Sequence, residues 1–339
     1  MRSFGSDNHS GIHPDILKSI SDVNNNHAIA YGDDVWTIEA KEKFKELFSS
    51  NAEVFFVFNG TGANVISLQA ATNSYNSIIA ANTAHISVDE CGAPEHFTRA
   101  SLKVVKTPNG KLNRELIAPF LSGFNNEHHS QPKVVYISQC TELGTVYTCQ
   151  EIKEIADFIH SYGMYLHVDG ARIANAAVSL NKSFKEMIVE TGVDILSFGG
   201  TKNGMMLGEA VISFRKELSD NLKYIRKQSA QLYSKMRYIA CQYLAYFNND
   251  LCFHNASNAN KMAQLLREKL LSVHPFEFTQ KTEANILLLK MDKTLTTNLQ
   301  KEHFFYVWNE ENNEIRFVTS WNTTEQDIDN LIASVKKLL

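Results

Sequence analysis

Short apolar runs alternate with amphipathic stretches along most of the chain. The runs at 54–58, 77–81, 102–105, 134–138, 166–169, 194–198 and 208–214 each have the length and composition of a buried strand. Between them apolar residues return at helical spacing. Val35, Ile38, Phe44, Leu47 and Phe48 form one such face, Ile66 and Leu68 begin a second, and Ile152, Ile155, Ile159 and Tyr162 make a third. Residues 113–121 also read as helix. Strand and helix in alternation predict βαβ units and a mostly parallel sheet covered on both faces. After a long apolar helix pattern from Ile239 to Phe247, the last third carries helices near 256–272 and 325–338 with short strands near 286–289 and 315–318. At 339 residues the chain exceeds one ordinary domain. The division expected is a polar N-terminal arm at 1–13, a large domain at 14–245 and a small α/β domain at 246–339.

Composition narrows the function classes. The formal charge is −4 (33 − 37), and the basic residues form no stripe suited to a phosphate backbone, so nucleic acid is not an expected partner. The N-terminus lacks an apolar leader, and no run approaches the roughly 20 apolar residues of a membrane span, which points to a cytoplasmic protein with no membrane partner. Cys91, Cys140, Cys149, Cys241 and Cys252 are odd in number and include no CxxC, so buried free thiols are expected. His128 and His129 lie in a polar loop without further ligands at metal-binding spacing, and no metal site is expected.

The candidate chemistry centres on Leu166-His167-Val168-Asp169-Gly170-Ala171-Arg172 and Gly199-Gly200-Thr201-Lys202-Asn203. An apolar run that ends in an acid and turns through glycine places Asp169 at the C-terminal edge of a parallel strand, where open α/β sheets bind ligands. Lys202 follows the next strand, 33 positions on (202 − 169), and so reaches the same crevice. A carboxylate and an amine at one sheet edge suit pyridoxal phosphate (PLP): the lysine bonds the cofactor aldehyde and the acid keeps the pyridine nitrogen protonated. Asn59-Gly60-Thr61-Gly62-Ala63-Asn64 turns a strand directly into a helix. Free amides, the helix dipole and the Thr61 hydroxyl there suit the phosphate of that cofactor. Arg316, inside an apolar strand, is costly to bury unless it meets an anion.

VDGAR followed by Thr-Lys after the next strand resembles the threonine aldolase family of fold-type I PLP enzymes. The resemblance extends from Ser6-Asp7 through Tyr31-Gly32-Asp33-Asp34, Gly60-Thr61-Gly62-Ala63-Asn64 and His85 to Arg316. It implies that His85 stacks on the pyridine ring and can transfer a proton. Ser6 and Arg316 are expected to meet the substrate carboxylate, and Arg172 that carboxylate or the cofactor oxygen beside the aldehyde. Tyr31 is expected to face a neighbouring subunit's site, and Arg237, with Lys235 as its rival, to reach a partner's cofactor phosphate. Asp33 or Asp34 is expected to cap the following helix. One position departs from the pattern. Glu142 stands where many low-specificity members have a second histidine near the substrate hydroxyl. The change lowers the reference pKa from about 6.5 to about 4.3, roughly 3 kcal/mol less basicity unless burial raises it. The activity implied is cleavage of threonine or allo-threonine to glycine and an aldehyde by a homo-oligomer, a dimer with shared sites assembled into a tetramer. The alternatives are β-elimination or transamination, which the same lysine and acid serve, and a PLP-type scaffold without activity, which would need neither residue.

Overall fold

The structure, a computed structural model, describes residues 3–339; Met1 and Arg2 of the N-terminal arm lie outside the described residues. Seven strands form the main sheet: β1 (Glu53–Val57), β2 (Asn76–Ala81), β3 (Ser101–Val105), β4 (Gln131–Ser138), β5 (Tyr165–Gly170), β6 (Ile195–Gly199) and β7 (Glu209–Ser213). Their order across the sheet is β1-β7-β6-β5-β4-β2-β3. Pairing is parallel from β6 to β3, and β7 alone runs against both its neighbours. The α/β class and mostly parallel sheet expected from the alternating pattern are present. Because β7 is reversed, its first residue, Glu209, lies opposite Val57 and Gly199 at the edge where the other strands end.

Helices cover both faces. The first four are α1 (Pro14–Asp22), α2 (Val35–Leu47), α3 (Gly60–Ala71) and α4 (His85–Val88). Asp34 caps α2, accepting the Thr37 amide and hydroxyl at 2.8 Å each. The stretch expected as one helix at 113–121 is a single α-turn, Arg114–Ile117, followed by a 3-10 turn at Ala118–Leu121, where Pro119 removes a backbone donor. On one face of the sheet Phe44 of α2 is surrounded by Phe48, Phe56, Phe198, Tyr243 and Phe247, with ring centroids 4.9–6.3 Å away. Edge-to-face packing of this kind adds to the burial of each ring. Cys140, Cys241 and Cys252 are buried free thiols as expected, but Cys91 is exposed and Cys149 half-buried.

The C-terminal part builds a second, antiparallel sheet from β8 (Ile286–Lys290), β9 (Tyr306–Asn309) and β10 (Glu314–Val318), in the order β8-β10-β9. β9 and the helix Lys293–Leu299 have no counterpart in the sequence reading, being too short to develop a period. The helices Leu251–Val273 and Glu325–Leu338 pack with this sheet around Leu266, Leu270, Ile315, Phe317, Ile328 and Leu331. The N-terminal arm joins this second core. Phe4 is fully buried in it, donates its amide to Phe304 O at 2.8 Å and accepts the Val318 amide at 2.8 Å.

Phe44 contributes no polar atom and has no exposed surface. Phe44→Ala is expected to lower the unfolding free energy by about 3–5 kcal/mol, read from the urea midpoint, because its five aromatic neighbours cannot collapse into the space.

Candidate active site

The strand ends converge as the sequence pattern requires. Gly60 follows β1, His85 follows β2, Glu142 follows β4, Asp169 closes β5 and Lys202 follows β6. Close approach at this edge demands Gly199, since a Cβ there would lie 2.6 Å from the Ala171 Cα. The turns after β5 and β6 therefore sit against one another, which brings Asp169 and Lys202 to one place.

Asp169 is buried, and burial by itself would raise its pKa. Hydrogen bonds from Tyr136 Oη (2.6 Å) and Asn64 Nδ2 (2.9 Å), the nearby Lys202 charge and the Ala171 amide (2.9 Å) outweigh this and hold it below the usual range. It is a carboxylate kept ionised in a dry place. Lys202 makes no hydrogen bond or ion pair with any described residue, although its charge acts on Asp169, His85, Asp7 and Glu209. An uncommitted amine facing a stable anion is ready for covalent chemistry.

Asn64 also donates to Glu90 Oε1 at 2.9 Å, and the same oxygen meets His85 Nδ1 at 2.8 Å. That bond to Glu90 is the main reason the His85 pKa is raised; partial burial opposes it and Asp169 reinforces it. Asn64 lies one helical turn beyond Thr61, so α3 points its N-terminus into the crevice above this network. Asn59 caps the Gly62 amide at 2.8 Å, while the Gly60 and Thr61 amides carry no partner among the described residues. A Cβ on Gly60 would meet nothing within 4 Å, so the space beside those donors is open.

Glu142 is buried, and burial raises its pKa. Its Oε1 accepts the His85 amide at 2.9 Å and the Ser138 hydroxyl at 2.7 Å. The carboxylate thus fastens the start of α4, which carries His85. Arg172 is committed to the arm: Nε and Nη2 reach the two oxygens of buried Asp7 at 2.7 and 2.9 Å, and Asn285 adds a bond to Asp7 at 3.0 Å. Burial would raise the Asp7 pKa, but Arg172 outweighs it and the net shift is downward. Ser6, one residue before, accepts the Asn8 amide at 3.2 Å. Arg316 lies within electrostatic reach of Arg172 and Asp7, and its buried Nε has no partner.

Two expected site residues lie apart from this cluster within the chain. Tyr31 is half exposed beneath the Lys227 ammonium, 5.2 Å from its ring centroid. Arg237 donates to the Asn25 and Asn26 carbonyls at 3.4 and 3.3 Å, and Lys235 is exposed.

Sequence reasoning missed Tyr136, Asn64, Glu90, Asp7 and Glu209. Tyr136 and Asn64 do carry a signal, since each interrupts a buried apolar face with a polar atom that needs a partner. Glu209 is invisible to a rule about strand C-termini because β7 is reversed. It accepts the Gly200 amide at 3.0 Å, two residues before Lys202. Burial pushes it up to about 7, against the opposing pull of Thr201 and Lys202.

The donor set fits PLP: free amides for a phosphate, an unpaired lysine, an ionised acid and an arginine without a partner. Residues 3–294 match the Beta-eliminating lyase family. The chain is 38% identical to a low specificity L-threonine aldolase of Pseudomonas aeruginosa over 100% of its own length and 98% of that protein. It is 37% identical, over the same shares, to one from another Pseudomonas strain. Its fold superposes on Leishmania major threonine aldolase with a TM-score of 0.94 at 30% identity, covering 100% of this chain and 99% of that one.

Two outcomes test this geometry. Borohydride reduction of the purified protein is expected to fix the cofactor on the Lys202 peptide, seen by mass mapping, and Lys202→Ala to abolish it. Glu209 in the folded state binds its proton up to about pH 7 against a usual 4.5. The folded protein therefore holds more protons than the unfolded chain in that window, and stability falls as pH rises through it. Glu209→Gln is expected to flatten that fall in urea titrations between pH 4.5 and 7.

Proposed function

This chain belongs to the Beta-eliminating lyase family, and from that membership we propose that it is an aldehyde-lyase cleaving threonine and allo-threonine to glycine and acetaldehyde. It is a PLP-dependent enzyme of fold type I. The observation that carries the reading is the uncommitted Lys202 amine beside the ionised, buried Asp169.

PLP, when bound, supplies an electron sink for the carbanion that Cα–Cβ cleavage leaves behind. Asp169 would keep a proton on the pyridine nitrogen, and its own charge is preserved by Tyr136 and Asn64. The Gly60 and Thr61 amides and the Thr61 hydroxyl hold the phosphate, with Arg237 of a second subunit as a further ligand in our reading. Lys202 Nζ would hold the cofactor covalently. Arg316, with Ser6 and Arg172 beside it, receives the substrate carboxylate. The bidentate Asp7 contact fixes the Arg172 fork and leaves Nη1 to turn toward that anion.

His85 takes the β-hydroxyl proton at its Nε2. Glu90 binds Nδ1 and so fixes the ring and supports the charged form once the proton arrives. Glu142 serves by holding the His85 backbone and not as the base, because its Oε1 is already occupied by two donors. We read residues 14–245 as the cofactor domain and 246–339 as the small domain closing over the substrate. Two apolar clusters support that division, and the Leu251–Val273 helix contributes to both. We place the enzyme in the cytoplasm as a dimer with shared sites, assembled into a tetramer. The half-exposed Tyr31 supports the shared site. No helix of the described residues is long and apolar enough to cross a membrane.

Product analysis with both threonine diastereomers is expected to give glycine and acetaldehyde; release of pyruvate or ammonia from serine without any aldehyde overturns the reading. His85→Asn is expected to lower kcat about 10²-fold or more. Glu142→Gln keeps an oxygen for the His85 amide and is expected to retain most of kcat, so the reverse order makes Glu142 the base.

A further inference from the structure

The small-domain sheet turns one face toward the crevice, and Arg316 stands on it. Its guanidinium carbon lies 4.5 Å from the Trp308 ring centroid and 6.0 Å from that of Tyr306. It makes no ion pair or hydrogen bond with any described residue, and its Nε is buried without an acceptor. The strand beside it is irregular at one place. Glu314 pairs with Asn309 and Ile315 with Val307, so Trp308 is left over as the extra residue of a β-bulge. A bulge bends its strand and re-aims a side chain, here onto the guanidinium.

Asp7 and Asp89 act on it only at a distance, and a cation held against an aromatic face with no acid bonded to it is positioned while its N–H donors stay unclaimed. We propose that Trp308, seated by the bulge, is the positioning residue that holds Arg316 ready for the substrate carboxylate and thereby sets amino-acid affinity. Stacking leaves the guanidinium edge, which carries the N–H donors, free for a bidentate contact. An acidic neighbour would have occupied that edge. Tyr306, more exposed, flanks the same cation and contributes less at its longer distance. This inference rests on the reading of Arg316 as the carboxylate clamp.

The test uses the holoenzyme with Trp308→Leu and Trp308→Phe. Removing the aromatic face is expected to raise the KM for threonine and the Kd for glycine about tenfold while kcat falls no more than about threefold, and phenylalanine is expected to restore most of the affinity. Of the three tryptophans, only Trp308 stacks on Arg316. The emission lost in Trp308→Phe is therefore expected to respond saturably to glycine in the wild type, and not in Arg316→Ala. A KM and a glycine Kd within twofold of wild type in a folded Trp308→Leu, or a Trp308 emission indifferent to glycine, overturns the proposal. Glycine binding needs no turnover. A wild type that binds glycine with the Trp308 response but cleaves no threonine rejects the aldolase reading and leaves the Trp308 assignment standing.

Discussion

One buried negative charge governs the arrangement. Asp169 lies where a carboxylate would take up a proton, and it stays ionised because Tyr136, Asn64 and the Ala171 amide all donate to it. Each donor comes from a different element: Tyr136 from β4, Asn64 from α3, Ala171 from the turn after β5. Stabilising the charge therefore fixes the mutual position of three pieces of backbone. Asn64 passes the constraint on to Glu90 and through it to His85. One amide side chain thus links the orientation of His85 to the charge of Asp169. Buried networks of this kind hold a unique geometry only when their members are satisfied together.

The large sheet was legible because its strands are apolar runs separated by helical periods, and the placement of the candidate residues at strand ends was legible because parallel sheets bring those ends to one edge. The placement of Asp169, Lys202, Gly60 and Thr61 follows from that rule, whereas His85 was singled out by the family resemblance. The rest required tertiary knowledge. Glu209 sits at the start of a strand, and only its reversal moves it to the site edge. Glu90 and Tyr136 read as an ordinary helix-end acid and an ordinary strand aromatic until the network joins them. Trp308 lies on a strand too short to show alternation, and the bulge that seats it has no sequence signature.

Glu142 shows how a residue type leaves more than one task open. In sequence it reads as a carboxylate substituted for an imidazole, a weaker base in the same place. In space its oxygen completes the start of a four-residue helix whose Ala84 cap supplies no side-chain acceptor. A short helix has unsatisfied amides and a polar side chain satisfies one of them, with the hydroxyl of Ser138 bound alongside. An acceptor oxygen at that point meets this need.

The arm has a consequence for how the protein is made. Phe4 is clasped between the Phe304 carbonyl and the Val318 amide, and Asp7 ties Arg172 to Asn285. These arm residues therefore find their partners 165 or more positions further along the chain. Contacts of such long sequence separation are entropically late in folding. The part of the crevice around Arg172 and Arg316 is accordingly among the last to close, after the large sheet has already formed its strand edge. A folding chain is thereby kept from completing the crevice before the arm and the small sheet have met.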